Sequence, residues 1–207
     1  MFTGIIREIG TVTETTFFDG LLKLEVTIED SSVLSRLETG ASIAIDGVCL
    51  TVVSFDLFKI KFDVINETLE RTTLKAIRKN QKVHVERSVR FGDEIGGHVL
   101  SGHVFGVVTI AAINQDKNNC EIVFQAKPEW TKYLFPKGYI ALNGASLTLV
   151  DVNTEKGTFT VHLIPETLRK TTFGMKKVGD FVNLELETQT QAIVETIERI
   201  LSRRNEI

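Results

Sequence analysis

Cys49 and Ser146 hold the same position in two copies of one motif, so a thiol and a hydroxyl stand at matched places in this chain. The first copy, residues 43–53, reads IAIDGVCLTVV, and the second, residues 140–150, reads IALNGASLTLV, ninety-seven residues later. A lone cysteine in an apolar strand reads first as a buried small hydrophobe. Serine at the duplicated position argues otherwise, because serine replaces a core cysteine poorly and a ligand-touching thiol well. Thr51 and Thr148, two residues on, share the strand face of Cys49 and Ser146. Each copy therefore offers two small polar groups side by side; the bland alternative is the solvent face of an edge strand. Two histidines, His98 and His103, lie five apart in HVLSGH. An odd spacing puts them on opposite strand faces and no third ligand accompanies them, so no metal site is expected. His103 is the better acid or base near neutral pH, since the matching position in the chain's opening segment is Ile5. A histidine in one copy only means that the two pockets have different roles. Lys137, in FPKGY, and His162, in VHLIPET, read first as solvated surface.

The elements that must position these groups repeat as well. NETLERTTL at residues 66–74 returns as PETLRKTTF at 165–173, KVHVE at 82–86 returns within DFVNLE at 180–185, and Thr3-Gly4 returns as Ser101-Gly102. A period near a hundred residues is a duplicated domain, since solenoid units are far shorter. Within the first copy, residues 11–16 and 21–28 alternate around Asp19-Gly20, a hairpin signal. A short helix is expected over residues 31–37, strands at 43–45 and 49–54 joined by Asp46-Gly47, and a strand at 59–65. A helical or turn segment follows at 66–74, and a strand at 83–85 closes the unit. The second copy repeats this order through residue 186, with a short helix near residues 130–134. Many short strands separated by turns point to an all-β barrel or sandwich in each half. Ile193, Val194, Ile197, Ile200 and Leu201 then mark one stripe of an amphipathic helix, which either folds back on its barrel or meets copies from other subunits. The expected domains are residues 1–97, 98–187 and the helix at 188–207.

At 207 residues, two units of this size can each bury a core. A net charge of -3 gives no polyanion-binding signal, so nucleic acid is not an expected partner. No run of eighteen apolar residues occurs, and the opening MFTGIIREIG lacks a basic region and a long apolar core, so no membrane partner and a cytoplasmic location are expected. The two cysteines, Cys49 and Cys120, lack CxxC spacing and are expected to be reduced thiols.

Taken together, MFTGI, DGVCLTV, DEIGGHVLSGHV, KGYIALNGASLTL, HLIPETLRKTT and QTQAIVETIERIL resemble the riboflavin synthase family over essentially the whole chain. The resemblance implies two tandem six-stranded Greek-key β-barrels plus a C-terminal α-helix that assembles a homotrimer. It implies that one molecule of 6,7-dimethyl-8-ribityllumazine donates a four-carbon unit to a second, giving riboflavin and 5-amino-6-ribitylaminouracil without cofactor or metal. Association with lumazine synthase is a further partner it suggests. A reaction whose donor and acceptor are the same molecule gains from two similar pockets held face to face. In the family the site forms between the first barrel of one subunit and the second barrel of a neighbour.

Carried over to matching positions, Phe2, Gly4, Ile5 and Ile6, with Ser42, Cys49, Leu50, Thr51, Asp63, Val64, Ile65, Asn66, Glu67 and Thr68, resemble the first ligand shell. Gly102, His103 and Val104, with Lys137, Ser146, Leu147, Thr148, His162, Leu163, Ile164, Pro165, Glu166, Thr167 and Glu187, resemble the second. On that resemblance His103 assists deprotonation of the lumazine C7 methyl, Ser146 and Thr148 orient, and Cys49 adds to C7 of the other molecule or directs water there. Two positions depart from the family pattern: Glu187 stands where aspartate is frequent, and His84 where the second copy keeps Asn183. A non-catalytic antenna protein that binds lumazine or flavin would be expected to lose this reactive set. A flavin reductase barrel would need a second, different domain, and no GxGxxG loop is present.

Overall fold

The computed structural model describes residues 1–204. Alternating apolar residues build strands β1 (Glu8–Phe18), β2 (Leu21–Thr27), β3 (Ser42–Ile45), β4 (Val48–Asp56), β5 (Lys59–Ile65) and β6 (Lys82–Arg87), with α1 (Asn66–Arg71) between the last two. They close as an antiparallel barrel in the order β1-β2-β5-β4-β3-β6. The β3–β4–β5 meander followed by β2 makes this a Greek key. The second copy supplies β7 (Gly106–Gln115), β8 (Cys120–Gln125), β9 (Tyr139–Leu142), β10 (Ala145–Asn153), β11 (Thr158–Leu163), α2 (Pro165–Lys170) and β12 (Phe181–Leu186). These close in the equivalent order, so the two six-stranded barrels share one topology. A closed sheet leaves no free edges, which suits a chain with this many short strands.

Each barrel is filled from its inward positions. Val12, Leu24, Ile43, Leu50, Val52, Phe62 and Val85 pack the first, and Ile110, Phe124, Ile140, Leu149, Phe159 and Val182 the second. On β4 the inward Leu50 and Val52 alternate with the outward Cys49, Thr51 and Val53, so the chemistry-bearing side chains lie on the outer face of the barrel. The segment expected as a short helix at 31–37 is a single 3-10 turn, Ser31–Leu34. Asp30 caps it by accepting from the Ser32 N–H, and the apolar run is too short to continue.

The barrels are joined about a local twofold. Asp46-Gly47 and Asn143-Gly144 form matching tight turns, with positive φ at all four residues. They meet backbone to backbone, so that a Cβ on Gly47 would lie 2.5 Å from the Gly144 nitrogen. Beside the turns, Asn183 Nδ2 donates to the Asp46 carbonyl, and Asn183 Oδ1 accepts from the Thr73 N–H at 2.7 Å. His84 makes the mirror pair: Nδ1 meets the Asn143 carbonyl at 2.8 Å and Nε2 accepts from the Thr172 N–H at 2.7 Å. A carbonyl on one side and an N–H on the other fix the neutral ring with its proton on Nδ1. Burial holds the His84 pKa below the ordinary histidine value, in keeping with that form. The departure at this position thus preserves the function of the asparagine.

His84→Leu is expected to destabilise the chain by about 3 kcal/mol or more, because it strands two buried backbone groups. His84→Asn should cost much less. Below pH 6.5 the unfolded chain protonates His84 and the folded chain does not, so wild-type stability falls as pH drops. Above 6.5 the contribution is complete. Relative to His84→Asn, the wild type should lose up to about 1.4 kcal/mol per pH unit below 6.5. Urea unfolding of the three proteins between pH 5 and 8 checks both statements.

Helix α3 (Thr188–Arg204) follows β12 directly. Glu187 caps it, accepting from the Gln189 N–H at 3.0 Å and the Thr190 N–H at 2.6 Å. Val194 rests on the second barrel, while Lys132 pairs with Glu198 and the Tyr133 hydroxyl reaches Glu195. The opposite stripe stays open: Ile193, Ile197, Ile200 and Leu201 are each more than half exposed. None of the described helices is long and apolar enough to cross a membrane.

Candidate active site

The opening segment of each copy crosses to the other barrel. Phe2 and Leu100 exchange both backbone hydrogen bonds, at 2.8 and 2.9 Å, as an antiparallel bridge between the copies. Beyond the bridge the two segments part. The Gly4 carbonyl accepts from the Ser146 N–H at 2.8 Å, and the Gly102 carbonyl accepts from the Cys49 N–H at 2.9 Å. Both glycines have positive φ, and a Cβ on either would stand 2.5–2.6 Å from the Cβ of Ser146 or Cys49. Only glycine lets the strap lie this close. The grouping expected from sequence is therefore corrected: Gly4, Ile5 and Ile6 belong with Ser146, and Gly102, His103 and Val104 with Cys49.

Carboxylates hold the straps in place. Glu86 accepts from the Thr3 N–H and hydroxyl, both at 2.7 Å, and from the Gly4 N–H at 3.2 Å. Glu185 does the same for Ser101 and Gly102. Burial pushes both carboxyls up, and the donors around them pull back toward the charged form.

One cavity of about 440 Å³ opens beside Ser146. The strap residues Gly4, Ile5, Ile6 and Arg7 form one wall; Ala145, Ser146 and Leu147 on β10 form the floor; Glu166, Thr167, Lys170 and Thr171 close it from α2. The matching elements of the first barrel are the Gly102–His103–Val104 strap, Cys49 and Leu50 on β4, and Glu67 and Thr68 on α1. Cys49 and Ser146 are both half-buried, so neither is sealed in hydrocarbon. Thr51 and Thr148 extend the two floors on the exposed side.

The histidine that meets Ser146 is His98. Its Nδ1 lies 2.6 Å from the Ser146 Oγ, and its ring stacks on Tyr139 with centroids 5.0 Å apart. Tyr139 is paired across β9 and β10 with Thr148, on the strand that carries Ser146. Burial lowers the His98 pKa, and the charge of Glu187 opposes the shift. Burial works against the Glu187 carboxylate too, but the hydrogen bonds of Thr190 and Gln189 outweigh it and keep the group ionised. Ser146 and His98 thus form a hydroxyl–imidazole pair, on which the Glu187 charge acts without a hydrogen bond of its own. His98 Nε2 is buried without a protein partner.

Other expected residues fall in different places. Phe2 is 1% exposed, wedged with Leu100 against Ala44, Ala141 and Cys49, so it supports the straps and leaves a ligand no surface. Leu50, Val64 and Leu163 turn their side chains into the barrels, leaving only main chain to a ligand. The His162 ring is drawn away from the Ser146 cavity, 3.1 Å from Asn119 and 3.5 Å from Glu121. Asp63 pairs with Lys23 at 2.7 Å. Ser42 lies opposite Thr51 on the neighbouring strand. Lys137 is exposed with φ of 70°, its N–H bonded to the Leu149 carbonyl, while Ile65, Ile164 and Pro165 are exposed beside the two helices. Among the described residues no cluster of three metal-ligating side chains occurs.

The model of the lumazine binding domain family matches the chain twice, at residues 3–88 and 101–187. The chain is 46% identical over 204 residues to a riboflavin synthase from Chlamydia pneumoniae, covering 98% of both. It is 42% identical over 205 residues to a riboflavin synthase from Escherichia coli (strain K12), covering 99% of this chain and 95% of that one. Among solved structures, LumP complexed with riboflavin superposes with a TM-score of 0.82 at 22% identity, covering 90% of this chain and 100% of that one. LumP complexed with 6,7-dimethyl-8-(1'-D-ribityl) lumazine gives 0.80 at 21%, covering 90% and 99%. At that identity the agreement is one of fold.

Proposed function

Because the chain belongs to the riboflavin synthase family, built on two lumazine binding domains, we propose that its two strap-walled sites each hold one 6,7-dimethyl-8-ribityllumazine and pass a four-carbon unit between them. The products are riboflavin and 5-amino-6-ribitylaminouracil. The observation that carries this reading is the matched docking of a glycine strap on each barrel, Gly4 on Ser146 and Gly102 on Cys49, with His98 added against Ser146 alone.

The C7 methyl of a bound lumazine is a carbon acid, because its anion delocalises into the ring. His98 is neutral and carries an unused lone pair or proton, so the His98–Ser146 pair accepts the methyl proton, with Glu187 stabilising the imidazolium that results. In the other site the Cys49 thiol, or water held by it, adds to C7 and makes that molecule the electrophile. Backbone groups of the straps and of residues 63–68 and 162–167 read the ring edge, and Thr51, Thr148 and Lys137 face the ribityl chain. Fixing both molecules replaces a bimolecular encounter by a near-attack geometry.

The same proposal includes a cytoplasmic homotrimer in which the first barrel of one copy faces the second barrel of another. Support comes from the open stripe on α3 and from exposed apolar residues beside the sites, Phe17, Phe18 and Ile65 on one barrel and Ile164 on the other. Such exposure is what an interface covers.

Incubation of the protein with 6,7-dimethyl-8-ribityllumazine alone, followed by riboflavin absorbance, tests the activity. Riboflavin should accumulate without any added donor; tight binding with no product would contradict the proposal. His103, exposed on the strap beside Cys49, assists the addition to C7 in that site, so His103→Ala should lower kcat about tenfold or more and leave lumazine binding within a few-fold. Stopped-flow turnover beside a fluorescence titration separates the two.

A further inference from the structure

A separate cavity of about 420 Å³ lies on the first barrel, between the 3-10 turn at Ser31–Leu34 and the segment that leaves β6. Its wall carries Arg7, Arg87 and Arg90 together with Ser32, Ser35 and Ser88. Arg87 Nη1 donates to the Ser35 carbonyl at 2.8 Å, and Arg90 Nη2 donates to the same carbonyl at 3.0 Å. One oxygen therefore gathers two guanidinium groups whose charges repel each other. Burial lowers the Arg87 pKa, and the charge of Arg90 lowers it further.

Among the described residues none of the three arginines forms an ion pair. The carboxylates on the same wall are committed to other donors. Asp30 holds the Ser32 N–H and hydroxyl, Glu86 holds Thr3 and Gly4, and Asp93 accepts from the Arg90 N–H at 2.7 Å. The Arg87 Nε is buried without a partner. Two guanidinium groups held together with spare donors, flanked by the Ser35 and Ser88 hydroxyls, match the geometry and charge of a tetrahedral oxyanion.

We propose that this cavity binds the phosphate group of a small phosphate monoester, with Arg87 and Arg90 as the paired donors and the remaining volume taken by the ester's polar body. The cavity is distinct from the Ser146 site, but Arg7 lines both, so its occupant sits against the strap that walls the reaction site.

Equilibrium dialysis of the full chain against radiolabelled inorganic phosphate, and separately against glycerol 3-phosphate, at fixed ionic strength in sodium chloride tests this. Saturable uptake at one site per chain is expected, with the monoester binding more tightly. Arg90→Ala should weaken it at least about tenfold, since a charge-assisted hydrogen bond and a cation are lost. Because Arg87 also braces the 3-10 turn, Arg87→Lys is the second variant; it keeps the charge, loses the paired geometry and should weaken binding as well. Unchanged riboflavin formation by Arg90→Ala would show that the variant is folded. Tighter binding of inorganic phosphate than of the ester would overturn the ester assignment. Absence of saturable uptake by the wild type, or uptake unaltered in both variants, would overturn the site itself.

Discussion

Replacing His98 by glutamine is expected to reduce riboflavin formation by at least about a hundredfold while leaving the affinity for lumazine within a few-fold. The reason is geometric. His98 Nδ1 lies 2.6 Å from the Ser146 hydroxyl, burial keeps its ring neutral near pH 7, and the Glu187 carboxylate acts on it from the start of α3. Glutamine keeps a polar side chain of similar length under Tyr139 but cannot take up a proton. Ser146→Ala should lose a comparable factor, and the double variant little more than either single, because groups that act as one unit are not additive. With folded pKa below the ordinary histidine value, His98 should remain an effective base down to mildly acidic pH, and activity should fall as pH drops through its pKa. Near wild-type kcat in His98→Gln would remove the pair from the reaction.

Opening the α3 stripe should abolish activity by a different route. Removing everything after Glu187 takes away the helix, but it also takes the N–H groups that donate to the Glu187 carboxylate, so a subtler change separates assembly from chemistry. Ile197→Glu places a charge in the centre of the open stripe and leaves the Gln189 and Thr190 hydrogen bonds intact. Burying an unpaired carboxylate in an apolar interface costs several kcal/mol, about a thousandfold or more in association. Both changes are expected to give smaller particles on sizing, with folded barrels and no riboflavin formation, and mixing them with a site variant should restore nothing. A trimeric, active Ile197→Glu protein would refute the role given to the helix.

Much of the architecture was legible because two copies of one motif carry their own control. Asp19-Gly20, Asp46-Gly47 and Asn143-Gly144 announce turns through residues that accept positive φ, and all three are turns here. The alternation around Leu50 and Val52 separates core from outer face. The crossing of the straps was not legible, since a repeat tells which segments are alike and not which barrel each one lies against. The pairing of His98 with Ser146 is hidden in the sequence for a related reason. No residue of the first copy aligns with it, and a five-residue spacing from His103 reads as two opposite faces. The Phe2–Leu100 bridge between the histidines instead makes one segment serve two sites, His98 at Ser146 and the His103 strap at Cys49. The useful signal was the pairing of an extra histidine with the one serine that replaces the duplicated cysteine.

His84 shows a loss of local symmetry without loss of role. An asparagine bridges a carbonyl and an N–H through its amide, and a neutral imidazole does the same through its two nitrogens, at the cost of becoming pH-sensitive. Glu187 is similar: one more methylene than aspartate still reaches the helix N-terminus, and its charge still reaches His98.

Transfer of carbon between two identical molecules held in twin sites can be read by mass spectrometry. The protein would be given an equal mixture of unlabelled lumazine and lumazine carrying carbon-13 throughout its four-carbon unit. Unlabelled, half-labelled and fully labelled riboflavin are expected, with the half-labelled species the commonest. Riboflavin in only the unlabelled and fully labelled forms, or none at all, would contradict the transfer.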